Sequence, residues 1–511
     1  MVAQPIVIGG GIAGLTATLA LAEAGLEPLL LEAKPQLGGR IAGAETVTLD
    51  GPGGPWSFPA EHGIHGVWGQ YHNLRAMLAR LDLLDTLVPA RREDWLHGVD
   101  GRVLRAEAGS AVRRSPFPAP FHYLTLLFRP RFLAMLTPAD LFGLPRVTGS
   151  LYVALAYDPL CEPTPLAERT LAELFVGWPP RLRAFLTALM RSGLAAHPEE
   201  VPLQGALAFL RFYTLLRRDA WAFAYLPDDA DAALITPLVT AIAAAGGQIR
   251  TEATVTALDR GDSSWRVSWL EAGQTQTTVT DHLILATDAP ATRDLLLACP
   301  ATRETAQTLD FPAGLETGIV RLWFRRAPAA GAESGICSGD LTVDNFFWLH
   351  HFQRGAAAWH AATGGSVVEA HIYGPPEVLA LPDAALLARA VADVQRAYPE
   401  LRGHLLHQTL QRNLPSHTRF GVGAEAKHLG VTTPWPGLAC CGDWLRYSHP
   451  ALFLERACVT GLAAAGEVLT AVGLPAPAIL AAAPPEGPAR ALERGLRRVR
   501  RWAARRRNPG S

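Results

Sequence analysis

Three glycines and one acid near the start of the chain carry the first chemistry that can be read from residue types and spacing. Gly9, Gly11 and Gly14 stand in a G-x-G-x-x-G pattern, and Glu32 follows 18 residues after the last of them. One glycine of such a set permits a tight turn, one lets a pyrophosphate touch the backbone, and one lets a helix pack closely on a strand. Ile12 and Ala13, between the second and third glycines, would then open a helix whose unpaired N–H groups and dipole favour phosphate. Glu32 falls where a carboxylate accepts hydrogen bonds from a ribose. The alternative is a glycine-rich turn in an ordinary α/β domain.

The elements that must hold these residues are present in order. Ile6 to Ile8 is a short apolar run of the kind that forms a buried parallel strand. Leu15 to Ala24 has a helical pattern that stops at Gly25, and Pro28 to Leu31 is a second apolar run ending at Glu32. Strand, glycines, helix, strand and acid together predict a Rossmann-type unit that binds a dinucleotide.

A second candidate site lies at the far end. Leu438 to Cys441 predicts a hydrophobic strand, which runs into Gly442-Asp443; a helix is then expected from His449 to about Leu469. Between the two ends, Glu61-His62-Gly63-Ile64-His65 leads through aromatics to an expected helix from about Leu74 to Leu84. His62 and His65 could ligate a metal, but His72 lies beyond zinc-finger spacing, so no metal is expected. Hydrogen bonding beside a cofactor, or a catalytic role, suits them better, with His65 the better catalytic candidate. His350 and His351 would point to opposite faces of a strand. Vicinal Cys440 and Cys441 predict small apolar packing rather than redox chemistry.

Composition narrows the class. At 511 residues the chain is too long for one core. It is 49% hydrophobic, only 18% charged, and carries a net charge of −1, which does not point to nucleic acid. No run of 18 apolar residues is free of charge and proline, and no basic segment precedes the first apolar run, so neither a transmembrane helix nor a signal peptide is expected. Six cysteines without a CxxC pair suit a reducing cytoplasm. Ser115 to Leu133 mixes aromatics, prolines and arginines, and helical patterns follow at Leu182 to Leu189 and Ala206 to Leu216; these suit a helical cap or a membrane interface. Ala489 to Arg507 holds nine arginines, with Leu492, Leu496, Val499 and Trp502 on one helical face. It reads as an anchor on anionic lipid, against a solubilising tail or a nucleic-acid arm.

Ala33-Lys34-Pro35-Gln36-Leu37-Gly38-Gly39-Arg40-Ile41 resembles the glycine-glycine-arginine segment of the flavin-containing amine oxidase and phytoene desaturase superfamily. The stretch Glu61 to Leu74, and Glu455-Arg456 in the last helix, resemble the carotenoid β-ring desaturases (the isorenieratene synthase, or β-carotene desaturase/methylase, group). The resemblance implies FAD, bound by the residues already named and by Ala33, Gly38, Gly39, Arg40, Gly63, Ile64, Val255, Ala286, Thr287, Gly442, Asp443, Ala451 and Leu454. It implies an α/β fold: a Rossmann-type FAD-binding domain, 1–90, 230–310 and 425–472, with a discontinuous α+β substrate domain, 91–229 and 311–424. A linker, 473–488, and the basic tail, 489–511, complete the chain. The expected reaction is desaturation of an apolar isoprenoid or carotenoid, with aromatisation of a β-ionone ring by methyl migration. His65 or His62 would take up a proton, and quinone or oxygen would accept the electrons. A linear-polyene desaturase or isomerase, a squalene-type dehydrogenase, a flavin amine oxidase and a non-catalytic flavoprotein subunit are the rivals. The expected location is the cytoplasmic face of the membrane, held peripherally.

Overall fold

Val7, Leu30 and Ile284, all fully buried, are the middle residues of three neighbouring strands in a five-stranded sheet. Its order is Gln248–Arg250, Leu29–Leu31, Ile6–Ile8, Leu283–Leu285, Leu438–Cys440, and every neighbouring pair is parallel. A parallel sheet is covered on both faces, which is why these strands are apolar without alternation. The chain builds one half outward from Ile6–Ile8 and then returns to build the other, so the strand order reverses between Ile8 and Leu285. The crevice at the carboxyl ends of strands flanking such a reversal is where ligands bind in open α/β sheets. Gly9, Ala286 and Cys441 each follow directly on one of those ends. The structure, a computed structural model, describes residues 4–160, 165–329, 331–418 and 427–507. Cys161 and the end of the expected substrate domain at 419–424 lie outside the described residues.

A second sheet of seven strands runs Leu405–Thr418, Gly314–Phe324, Ser366–Ile372, Asn345–Trp348, Ser334–Gly339, Glu93–Val99, Arg102–Glu107. It is antiparallel except where Ser334–Gly339 meets Glu93–Val99. Alternation sorts its faces. Val320, Leu322, Val368 and Ala370 pack on Leu386, Ala390 and Val394 of the helix Asp383–Ala397. The opposite face carries Arg321, Trp323, Glu369 and His371. Smaller sheets are the hairpin Gly43–Gly51/Gly54–Glu61, the meander Thr254–Thr280, and Gly66–Trp68 paired with Phe223–Tyr225.

Several expectations need correction. The helix expected from His449 begins at Phe453 and runs to Ala471; Phe453 has φ +57°, a left-handed conformation costly for a bulky residue. His350 and His351 lie in a 3₁₀ turn, not a strand, and their rings sit 4.4 Å apart instead of on opposite faces. The expected helix through Leu216 changes to a π-turn at Arg211–Leu215. The expected linker has no secondary structure from 474 to 486, yet it is strapped down. Asn73 exchanges two hydrogen bonds with the backbone of Leu480, and Arg217 donates to the carbonyl of Ala483. The tail helix, Gly487–Arg507, is not a free amphipathic face. Leu492 and Leu496 pack on the body, and buried Glu493 pairs with Arg211 at 2.5 Å, leaving Val499 and Trp502 exposed.

The Phe453–Ala471 helix crosses Ile12–Glu23 closely enough that a Cβ at Gly461 would sit 2.5 Å from the carbonyl oxygen of Ala13. Backbone cannot step aside. Gly461→Val is therefore expected to destabilise the protein by about 1–3 kcal/mol, read as a lower denaturation midpoint.

Candidate active site

The turn after Ile8 is shaped by contacts that only glycine allows. A Cβ at Gly9, φ +110°, would lie 2.7 Å from the carbonyl of Ala286, and one at Gly14 would run into the carbonyl of Gly9. At Gly11 it would meet nothing within 4 Å, so this side of the turn is open. The helix beginning at Ile12 and Ala13 has no side-chain cap and no acid in its first turn. Its first N–H groups therefore have no side chain capping them. Glu32 accepts from the amides of Gly10, 2.7 Å, and Lys34, 2.9 Å, which fixes the carboxylate beside the turn; Ala33 is exposed next to it.

Gly38 and Gly39 fold back over this turn. Gly38 donates to the carbonyl of Gly10 at 2.8 Å, and a Cβ at Gly39 would come within 3.2 Å of the Cα of Gly11. Arg40 then reaches Asp443, pairing positions 403 residues apart. Burial opposes the charge on Arg40, but Asp443 more than offsets it and raises the guanidinium pKa. Gly442 is held by Thr460, whose hydroxyl bonds both its N–H and its carbonyl. Ala286 donates to Ile8, while the Thr287 hydroxyl bonds Thr292 and its carbonyl accepts from Trp444. Val255 lies two residues beyond Ala253, whose amide binds the carbonyl of Glu32.

Near the helix Phe453–Ala471 the roles differ from those expected. The amide of Ala451 donates to His449 and its carbonyl accepts from Arg456, so both are already engaged; Leu454 is buried in the first turn. Arg456 also binds the carbonyls of Leu445 and His449, clamping the loop that leads into the helix. Glu455, fully buried, accepts from Asn73 and Leu74 and so caps the helix His72–Arg80. Helical i,i+1 residues diverge, and here they tie two different segments.

His62 is anchored: Nδ1 lies 2.8 Å from the carbonyl of Ala42, and its own carbonyl accepts from Asn413. His65 Nδ1 is buried with no hydrogen-bond partner. Burial, then the neighbouring His371 and His62, push its pKa down to about 4. Gly63, φ +134°, and Ile64 pass over His371; the Ile64 nitrogen is 3.4 Å from His371 Nε2. Glu61 accepts from Ala230 and Gln353, and burial, followed by nearby Glu369, raises its carboxyl to about 8.

The sequence reading missed the polar row under this segment. Arg321 binds Glu369 Oε2 at 2.6 Å, Glu369 Oε1 lies 2.8 Å from His371 Nε2, and His371 Nδ1 lies 2.8 Å from the Tyr373 hydroxyl. Glu369, His371 and Tyr373 are spaced by two in an otherwise apolar strand, a period that places them on one face. That was the available signal. Around them stand Trp323, Phe347, Tyr225 and Phe352. Among the described residues no cluster of three or more acid, histidine or cysteine side chains could hold a metal.

The profile of the family described as flavin containing amine oxidoreductase matches residues 12–469, and the chain belongs to that family. It is an FAD-dependent oxidoreductase. Over 482 residues it is 29% identical to the carotenoid phi-ring synthase of Streptomyces griseus, covering 92% of this chain and 88% of that protein. It is 25% identical over 334 residues to the 15-cis-phytoene desaturase of Arabidopsis thaliana, covering 63% of this chain and 54% of that one. The fold is similar to that of cyclohexylamine oxidase from Brevibacterium oxydans, with a TM-score of 0.66, 17% identity, and coverage of 93% and 100%. The residues suit the cofactor: the open side of Gly11, the uncapped helix and the partnerless His65 Nδ1 are all unfilled polar or close-approach positions.

Because folded His65 resists protonation down to about pH 4 while an unfolded histidine titrates near 6.5, the unfolded chain binds more protons in that window. Stability therefore falls as pH drops from 6.5 to 4. His65→Phe is expected to lessen that fall, measured as denaturation midpoints across the range.

Proposed function

We propose that the protein desaturates the ring of a carotenoid, leading to an aromatic ring with methyl migration. FAD would be held by Gly9, Gly11, Ile12, Ala13 and Gly14 at its phosphates, by Glu32 and Ala33 at the ribose, and by Val255 near the adenine. Gly38, Gly39, Arg40, Gly63, Ile64, Ala286, Thr287, Gly442, Asp443 and Leu454 would line the rest of the cofactor. When bound, FAD supplies a hydride acceptor for a C–H bond that no side chain could oxidise. The protein's part is to dry, orient and manage charge.

The observation that carries the substrate class is the apolar packing beside Gly63 to His65. Ile64 and Phe347, whose ring lies 5.0 Å from that of His371, pack on the buried cluster of Tyr225, Trp323 and Phe352, and the two lysines of the chain lie elsewhere, shortly after the second strand and at 427. An amine oxidase would want a lysine near the flavin. Similarity to the phi-ring synthase spans nearly the whole chain, whereas similarity to the linear desaturase spans about half of that protein. That contrast favours ring chemistry over linear desaturation.

Delivery of such a substrate requires lipid. Among the described residues no helix is long and apolar enough to cross a membrane. Phe128, Phe142, Val176 and Trp502 are nevertheless 72%, 86%, 65% and 56% exposed. Phe142 lies on Pro138–Ala156 and Trp502 on the tail helix that packs against it, with Arg129 and Arg131 exposed beside Phe128. Apolar tips flanked by arginine suit shallow insertion into an anionic bilayer. That position puts a lipid-soluble quinone, as well as oxygen, within reach as electron acceptor.

Two outcomes follow. Mixed anaerobically with β-ring carotenoids in anionic liposomes, the enzyme should bleach its flavin and, once a quinone or oxygen is admitted to reoxidise it for the second two-electron round, yield an aromatic-ring product; bleaching by amines alone would sink the reading. Phe128→Asp with Phe142→Asp should reduce liposome binding at least about tenfold with the fold intact, since each buried Phe is worth roughly 1.5–3 kcal/mol and 1.4 kcal/mol is a factor of ten.

A further inference from the structure

The row Glu369–His371–Tyr373 runs from the buried interior to a half-buried hydroxyl and has no part in the chemistry described above. A bland role would be to fasten the sheet, and Arg321 does that, bonding both Glu369 Oε2 and the carbonyl of Pro59. Fastening needs only one oxygen of Glu369. The other is reserved for His371, which in turn holds Tyr373. Glu369 and His371 are 0% and 2% exposed, while Tyr373 at the end of the row is only half-buried. Ordered polar chains in an aromatic surround are costly unless every member is satisfied. This one is satisfied and ends on a hydroxyl.

Direction along the row follows from charge. Burial would raise the pKa of the Glu369 carboxyl, but the Arg321 charge and the hydrogen bond to His371 draw it down to about 2 and keep it ionised. Two groups meet at His371 Nε2: the Ile64 amide points at it from 3.4 Å, and Glu369 Oε1 lies at 2.8 Å; the nearer, ionised carboxylate only accepts, so Nε2 carries the hydrogen in that bond. Nδ1 is then the acceptor for the Tyr373 hydroxyl proton. The Tyr373 oxygen also hydrogen-bonds the Asn345 side chain, and its second lone pair is left for a proton coming from the other side.

We propose that Tyr373, His371 and Glu369 form the proton-accepting relay of the reaction, with Tyr373 the catalytic residue and His371 and Glu369 positioning it; this rests on the carotenoid-ring reading. Once bound FAD had taken a hydride, the ring would be left a cation, and methyl migration would move the charge to the neighbouring carbon; full aromatisation needs a second such two-electron round. The next C–H bond then breaks, its electron pair forming the new C=C bond and its proton passing to the Tyr373 oxygen. As that O–H forms, the original hydroxyl proton moves to His371 Nδ1, and the resulting imidazolium is held by Glu369. His65 is the weaker acceptor, because burial above all opposes a positive charge there and its buried Nδ1 has no hydrogen-bond partner. The row places its anion at the end of the path, where the proton must rest.

The test uses the flavin-loaded full chain, with Tyr373→Phe, His371→Gln and Glu369→Gln. Without substrate, nitrogen NMR of ¹⁵N-histidine-labelled protein should show one resonance, assigned by its loss in His371→Gln, in the Nε2–H tautomer; the Nδ1–H tautomer would overturn the relay. With a β-ring carotenoid that bleaches the wild-type flavin, Tyr373→Phe should retain FAD and bleach at a near wild-type rate. Its aromatic product should form at least tenfold more slowly, and the solvent deuterium effect on that step should disappear. Equal product rates in wild type and Tyr373→Phe would overturn the relay and leave the substrate reading standing. A wild type bleached by no carotenoid overturns the substrate reading, and the relay with it.

Discussion

The Arg40–Asp443 pair joins two ends of the chain that sequence keeps 403 residues apart. Arg40 follows the glycine pair that folds over the first turn, and Asp443 follows the last strand of the parallel sheet. An ion pair this sheltered is not a large net source of stability, because desolvation consumes much of the attraction. Its force lies in geometry: the buried Asp443 carboxylate meets its counter-charge in the half-buried Arg40, and the pair ties the two segments together. Closing them sets Gly38, Gly39 and Gly442 around one crevice.

Close backbone approach does the remaining work at that crevice. Gly9 against Ala286, Gly14 against Gly9 and Gly461 against Ala13 bring the strand Ile6–Ile8, the first helix, the end of Leu283–Leu285 and the helix Phe453–Ala471 into direct contact. Of the three glycines of the G-x-G-x-x-G turn, Gly11 alone faces open space. Thus the packed glycines define the walls, and the unpacked one marks the side a ligand can use. The reversal of strand order puts this opening at the carboxyl ends of the sheet, where helix dipoles and free amides coincide.

Across from the crevice, the second sheet contributes charge in a controlled form. Its apolar face is spent on the helix Asp383–Ala397, and its other face holds one ionised acid with two bonded cationic or ionisable neighbours. His65 is kept neutral, and Glu61 is pushed toward its protonated form. A dry site with few net charges suits an apolar substrate, and the single anion at Glu369 gives developing positive charge one preferred direction.

Much of the fold was legible from residues. The strand, glycine turn, helix and second strand of the Rossmann pattern, and the strand at Leu438 to Cys440, followed from apolar runs and glycine stops. Other features were not legible, for definite reasons. The left-handed Phe453 delays the last helix, and no residue type announces such a conformation. Leu492 and Leu496 look like half of a lipid-facing stripe until Pro138–Ala156 covers them; amphipathicity says that a face will be buried, not by what. Glu369, His371 and Tyr373 are plain in an alternating strand, but their partners come from Gly314–Phe324 and the Gly63–Ile64 segment. By itself the sequence determined the cofactor class, because phosphate binding by backbone is a local act of a few adjacent residues. Tertiary structure decided which acid meets which base, since long-range pairs depend on how strands stack rather than on any spacing along the chain.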